Sequence, residues 1–337
     1  MKNLLKTHPG AQITLICRKG VGSLFLREKL VHFVNEVQKG NSQSYRRTLE
    51  QLSSKEFDLL LCPHQSLRSA MMALRINAKQ KIGFRSWWNG LFFHDRVKRD
   101  MSLPEPMRLL KLLSKVDPEI ESSIEFWHSQ AKLNLGADAA DLLPEIPDWA
   151  NMQIASPATE SRQQKPMDQK ILGIFPGSTW ETKRWTEEGF AEVAKTFIND
   201  GWKVVLFGGP DESELCRRMA ARIPADIEVT AGLYSIEQSF DRLKSVNLVV
   251  TNDNAGQHLA SAAGIPCVSI FGPTVLELGF RPWQYHARVV QVNGLDCRPC
   301  GLHGHHQCPK GHHRCMKDLK SESVIVAAKN LIQSFSK

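Results

Sequence analysis

The chain has 337 residues, 42% of them hydrophobic, and a formal net charge of +8 from 43 Lys and Arg against 35 Asp and Glu. That is enough chain for two domains, each with its own core. No apolar run approaches the ~20 residues of a transmembrane helix, and the opening MKNLLKTHPGAQ lacks the apolar centre of a signal peptide. The expected location is therefore cytoplasmic, where the eight cysteines stay reduced or, where clustered, bind metal.

Charge is unevenly spread. Residues 1–115 hold 21 Lys and Arg against 8 Asp and Glu, whereas residues 116–150 hold one Lys against eight acids. The basic block suits an anionic partner such as nucleic acid, lipid head groups or a phosphorylated glycolipid, and charge alone fits a solubilising surface equally well.

In chain order, the first ten residues end a helix, and Gln12–Cys17 is a strand that leaves through Gly20-Val21-Gly22-Ser23. Val31–Val37 is a weaker strand, Phe57–Cys62 a strong one. Ser66–Arg75 is a helix with Leu67, Met71 and Leu74 on one side, and Lys81–Phe84 is a further strand. This alternation predicts a parallel α/β domain. In GFRSWWNGLFFHDRVKR, five large apolar residues (Trp87, Trp88, Leu91, Phe92, Phe93) are interleaved with basic ones. Core packing is the preferred reading, with a shallow membrane-docking surface as the alternative. Leu109–Leu113 and Ile120–Leu133 are expected as helices.

Residues 141–169 are rich in Pro, Ser, Gln and Lys without periodicity, which marks a linker. The expected division is a domain over 1–148, a linker over 149–169, a second domain over 170–320 and a C-terminal helix over 321–337. The second domain opens with the strand Lys170–Phe175 running into Pro176-Gly177-Ser178-Thr179. It continues with a helix from Thr186 to Asn199, the strand Trp202–Phe207 and the turn Gly208-Gly209-Pro210-Asp211-Glu212 leading into a helix. Ile227–Thr230 is a strand and Ile236–Leu243 a helix. No G-x-G-x-x-G is present, so a nicotinamide or flavin fingerprint is not supported.

The stretch LKSVNLVVTNDNAGQHLASAAGIPCVSIFGPT, Leu243–Thr274, reads as a compact βαβ unit. Asn247–Thr251 and Cys267–Phe271 are strands buried on both faces. Asp253 and Asn254 stand at the cap of an Ala-rich helix that Gly264-Ile265-Pro266 stops. Asp253, Asn254 and Thr274 thus share the sheet edge at which doubly wound folds bind ligands.

This stretch resembles the signature of glycosyltransferase family 9, the ADP-heptose:lipopolysaccharide heptosyltransferases, roughly T-N-D-[ST]-G-x-x-H-L-A-A-A-x-G-x-P followed by a strand and F-G-P-T. Thr251, Asn252, Asp253, His258, Gly264, Pro266 and Phe271–Thr274 match. Asn254-Ala255-Gly256 departs from it, since a hydroxyl residue followed by Gly is usual there. The resemblance implies an α/β protein of two Rossmann-like domains facing a cleft, the glycosyltransferase B arrangement. It also implies metal-independent, inverting transfer of heptose from ADP-heptose to an anionic lipopolysaccharide inner-core acceptor. The protein would then sit at the inner face of the inner membrane, touching its surface peripherally and binding no nucleic acid.

By the same resemblance Ser178 and Thr179 contact the donor phosphates and Lys183 meets leaving-group charge. A strand-to-helix turn with exposed amides, hydroxyls and a Lys suits a diphosphate. Glu212 holds the ribose diol, or is only a helix N-terminal acid. Asp253 takes hydroxyls of the transferred sugar and the 254–256 amides take phosphates. His258 reaches a phosphate or is merely packed. The family's general base is an Asp in a Gly-Asp loop after the first strand of the first domain. This chain begins inside what looks like the following helix, so no base is named. The first strand is expected to be missing, with coding DNA upstream of Met1 continuing in frame for roughly 25–30 codons.

Cys297, Cys300, Cys308 and Cys315, with His303, His305, His306, His312 and His313 interspersed, form a zinc signal. The same run resembles a family segment with no required metal. No required cofactor is therefore expected, and structural zinc is the weaker alternative. Two other classes stay open: a catalytically silent relative that binds ADP-sugar or glycolipid, and a zinc-ribbon nucleic-acid protein.

Overall fold

The computed structural model describes residues 1–103, 105–125, 170–282 and 286–334. It divides into two compact units, Met1–Leu133 and Asn134–Lys337. The expected linker over 149–169 lies outside the described residues. So does the end of the helix expected over Ile120–Leu133, of which residues 119–125 are helical.

Unit 1 runs α1 (Lys2–Thr7), β1 (Thr14–Arg18), α2 (Gly22–Arg27), β2 (Phe33–Val37), α3 (Ser42–Ser53), β3 (Glu56–Cys62), α4 (Leu67–Arg75), β4 (Asn77–Phe84), β5 (Asp95–Val97) and α5 (Glu105–Leu110), which tightens into a 3-10 turn over Lys111–Lys115. α5 thus starts before the expected Leu109. Every strand pair is parallel, as the alternation predicts. The pairs form two separate sheets, β1–β2 and β3–β4–β5. Leu15, Ile16, Leu59, Leu60 and Leu61 have the apolar character of strands covered on both faces, yet each is only half-buried. The turn after β1 closes on Glu36, whose Oε1 accepts from the amides of Gly20 (3.0 Å) and Gly22 (2.9 Å). Those amide bonds hold the Glu36 carboxyl below its usual range.

α4 turns its large apolar residues outward. Its apolar side, Leu67, Met71 and Leu74, faces solvent, and its buried positions are Ala70 and Ala73. Those two alanines form one cluster with Cys62 and Phe93, against which Leu60, Trp88 and Phe92 pack. Close approach to aromatic rings selects small residues on the inner face and leaves the large ones outside.

Unit 2 runs β6 (Ile171–Phe175), α6 (Glu187–Asn199), β7 (Lys203–Leu206), α7 (Ser213–Ala221), β8 (Glu228–Val229), α8 (Ile236–Lys244), β9 (Leu248–Asn252), α9 (Ala255–Ala263), β10 (Cys267–Phe271), β11 (Ala287–Gln291), α10 (Arg314–Lys317) and α11 (Ser321–Gln333). The strand order is β11-β10-β9-β6-β7-β8 with all pairs parallel. The chain lays β7 and β8 on one side of β6, then crosses to build β9, β10 and β11 on the other. The switch point therefore falls between β6 and β9, where doubly wound sheets open a crevice for ligands.

Local chemistry accounts for the elements. β9 and β10 are buried at every residue, and their Val, Ile and Thr content suits a strand covered on both faces. Thr186 caps α6 by accepting from the Gly189 amide at 3.1 Å. Ser235 and Gln238 cap α8 reciprocally. Gly264 ends α9 in the left-handed region at φ 67°, which only glycine enters without strain. α11 is no appendage: Val324, Ala328 and Leu331 enter the main core beside Phe190, Phe197 and Leu248. At about 1.5–3 kcal/mol per fully buried large apolar side chain, that core fixes the edge described next.

Candidate functional site

Three loops meet at the C-terminal edge of the unit 2 sheet: residues 176–185 after β6, 253–254 after β9 and 272–274 after β10. Asn252, the last residue of β9, ties the first two together. Its Nδ2 donates to the Pro176 carbonyl (2.7 Å) and its Oδ1 accepts from the Trp185 amide (3.0 Å). Asn254 adds a second staple. Its Nδ2 donates to the Gly177 carbonyl at 2.6 Å, while its Oδ1 accepts from the Gly256 amide and the Thr251 hydroxyl. The family-divergent Asn254 thus acts as helix cap and loop brace. The Gly256 amide, expected to meet phosphate, is bonded to that cap.

The centre of the edge is a buried charge pair. Lys183 Nζ donates to Asp253 Oδ2 at 2.5 Å, with 10% and 4% of the two side chains exposed. The same Oδ2 accepts from the Thr274 hydroxyl at 2.7 Å, and Oδ1 accepts from Gln257 Nε2 at 2.8 Å. A carboxylate has about four acceptor positions, so three are filled and one remains. Among the described residues Lys183 Nζ donates to Asp253 alone, so two of its three N–H donors remain. The sequence marked both residues but treated them as independent; the fold makes them one unit.

Gln257 was an unassigned position of the motif. Its Nε2 serves two acceptors, Asp253 Oδ1 and the Phe280 carbonyl (2.9 Å), which fixes the amide orientation. Its Oε1 is then buried with no hydrogen-bond partner among the described residues. The neighbouring His258 Nδ1 is in the same condition. Burial, with Lys183 adding to it, pushes the His258 imidazole below its ordinary pKa against the opposing pull of Asp253. A neutral ring follows. Only the place of Gln257 one turn of α9 beyond Asp253 could have flagged it.

Glu212 sits at the neighbouring edge, after β7. Its Oε2 accepts from the Gly209 amide at 2.8 Å, and its side chain lies so close to Gly177 that a Cβ there would stand 2.0 Å from Oε1. Gly177 is glycine because Glu212 occupies that space. Ser178 is buried and Thr179 exposed, so the two hydroxyls expected at phosphate stand in different surroundings. Ala255 is exposed at the start of α9.

The Cys/His segment packs behind this edge. Cys297, Cys300, Cys308 and Cys315 all line one cavity together with Arg298 and His313. All four are free thiols, and among the described residues no three such side chains are arranged to hold a metal ion. Burial pushes the Cys315 thiol up to about 11, with Arg298 pulling it back. The segment also braces the site. The Thr182 hydroxyl bonds the backbone of His305, and His313 Nε2 meets the Thr182 carbonyl at 2.8 Å. Arg298 Nη2 donates to the Thr274 carbonyl at 2.8 Å. The residues next to Lys183, and Thr274 itself, are thereby held from behind.

A family model described as glycosyltransferase family 9 (heptosyltransferase) matches residues 45–310. Lipooligosaccharide heptosyltransferase 2 of Campylobacter jejuni (serotype O:2) is 35% identical over 171 residues, covering 49% of this chain and 52% of that protein. Lipopolysaccharide heptosyltransferase 2 of Salmonella typhimurium is 26% identical over 301 residues, covering 85% and 79%. The chain therefore spans about half the length of the Campylobacter relatives it matches. The solved structure of E. coli ADP-heptose lps heptosyltransferase II superposes with a TM-score of 0.72 at 20% identity, covering 100% of this chain and 94% of that one. E. coli heptosyltransferase WaaC with ADP-2-deoxy-2-fluoro heptose gives 0.67 at 19% identity, covering 99% and 93%. The fold expected from the sequence, parallel α/β of the glycosyltransferase B class, is the one these proteins share. With the family model covering most of its length, the chain belongs to glycosyltransferase family 9.

Proposed function

We propose that this chain transfers heptose from ADP-heptose to a lipopolysaccharide inner-core acceptor, inverting the anomeric carbon without a metal ion. The observation that carries the reading is the Lys183–Asp253 pair, buried at the switch point between β6 and β9 with donors and acceptors left over. In this reading the nucleotide lies along the edge, with its ribose diol on Glu212 and its diphosphate over residues 177–179. The heptose lies toward α9, with hydroxyls on the remaining acceptor position of Asp253 and on Gln257 Oε1. Lys183, fixed by Asp253, places its spare N–H bonds where negative charge grows as ADP departs. A donor preorganised for that charge stabilises the transition state more than the ground state.

The acceptor is an anionic glycolipid of the inner leaflet, which suits the basic first block of the chain. Among the described residues no helix is long and apolar enough to cross a membrane. Product analysis with ADP-heptose and defined inner-core acceptors, run with chelator present, tests the reading. An acceptor gaining one heptose with ADP released supports it. Tight ADP binding in a calorimetric titration without transfer would instead identify a silent, sugar-nucleotide-binding relative.

A further inference from the structure

Unit 1 carries an exposed apolar feature that the donor site does not use. Trp87 is 96% exposed and Leu91 is 93% exposed, the two highest values among the large hydrophobic side chains described as exposed. They flank the tip of the loop between β4 and β5. The loop itself is firmly built. Buried Asn89 donates from Nδ2 to the Phe84 carbonyl at 2.7 Å, and its Oδ1 accepts from the Ser86 amide at 2.9 Å. Trp88 and Phe92 pack edge to face, and Phe93 is buried against Ala70 and Ala73 of α4. Of the five apolar residues in this loop three pack inward, as the core reading expects, and two are held out in water. α4, fastened to the base of the loop, adds the exposed Leu67, Met71 and Leu74. Arg85, Arg96 and Lys98 are exposed in the same segment, Arg96 beside Gly90 of the loop. The adjacent acids are occupied locally, Asp95 by Gln80 and Asp100 by Ser102.

We infer that this face of unit 1 docks on the surface of an anionic lipid bilayer, with Trp87 and Leu91 entering the head-group boundary and the three cations pairing with lipid phosphates. Two features select this occupant over a protein. An exposed indole and aliphatic chain on one loop, with exposed Arg and Lys in the same segment, is the composition that settles at a membrane interface. A set of exposed cations favours a surface with many negative charges at no fixed spacing. The inference deepens the proposed function by naming how the enzyme meets a lipid-anchored acceptor, and rests on that reading for its purpose only.

The test is flotation of the full chain with phosphatidylcholine vesicles, with and without phosphatidylglycerol, in the absence of nucleotide sugar and lipopolysaccharide. The wild type is expected to float with the anionic vesicles and to be released by high salt. Trp87→Ser/Leu91→Ser should lower partitioning at least about tenfold with an unchanged thermal midpoint, since both side chains are exposed. Arg85→Gln/Lys98→Gln should lower binding to anionic vesicles only. A wild type that floats with neither vesicle, or an apolar double variant that floats as well as the wild type, would overturn the inference. So would sedimentation showing that the wild type self-associates and the apolar double variant does not, which assigns the face to a second copy. Because the vesicles contain neither substrate, failure here leaves heptose transfer standing, and failure of transfer leaves vesicle binding standing.

Discussion

At the scale of single residues, everything turns on a lysine and an aspartate that share one buried position. Removing one partner of such a pair strands the other charge, at a cost of about 3–5 kcal/mol, whereas removing both charges together costs far less. Lys183→Met should therefore destabilise unit 2 strongly, and adding Asp253→Asn should restore most of the loss. Urea melts of the two single variants and the double one check this; strictly additive losses would mean the pair is not coupled. Gly177→Ala should push Glu212 away from the β6 loop while the fold survives. ADP affinity measured by calorimetry should fall, and unchanged affinity would show that Glu212 does not face the nucleotide.

His258 supplies a pH signature. Its folded-state pKa lies below the usual 6.5 because burial disfavours the imidazolium. The unfolded chain therefore takes up a proton near pH 6.5 that the folded chain refuses. The stability this confers is complete above that pH and is lost as pH falls through the folded value. Unfolding free energy should drop more between about pH 7.5 and 5.5 in the wild type than in His258→Asn; equal slopes would mean the ring is not held neutral.

Among elements, what was legible in the sequence is what local chemistry dictates. β6, β7, β9 and β10 show as short β-branched runs, and α6 and α9 announce themselves through Thr186, Asn254 and Gly264. What escaped is what only packing decides. β5 is three residues, Asp95-Arg96-Val97, and exists because β4 lies beside it. α3 has too few apolar positions to declare a face. The sequence places Leu67, Met71 and Leu74 on one side of α4 without saying which side meets the core; the aromatics beneath it admit only alanines there. At the site, motif positions were readable while Gln257 was not, because its role depends on Phe280 coming within 2.9 Å from a different loop.

The two small sheets of unit 1 also behave differently from the large one. β1 pairs only with β2, and β3 only with β4, among the described residues, so one edge of each strand has no ladder partner there. Amide exchange should therefore be faster, strand for strand, in β1 and β3 than in β9 and β10, which are paired on both sides. Equal protection in all four would show that another segment completes the unit 1 sheet.

For the whole molecule, the proposed donor site of unit 2 is braced by its own C-terminal segment, through Thr182 and Thr274. The four thiols line a cavity that includes neither Lys183 nor Asp253, so chelators should leave catalysis intact whatever those thiols bind. The most direct measurement is the rate of heptose transfer by the Lys183→Met/Asp253→Asn chain against the wild type, at saturating ADP-heptose and with folding verified by its urea midpoint. The account predicts transfer by the wild type and a loss of at least about 10²-fold in the double variant, roughly 2.7 kcal/mol of transition-state stabilisation. A folded double variant within about threefold of the wild-type rate, under 0.7 kcal/mol, would contradict it.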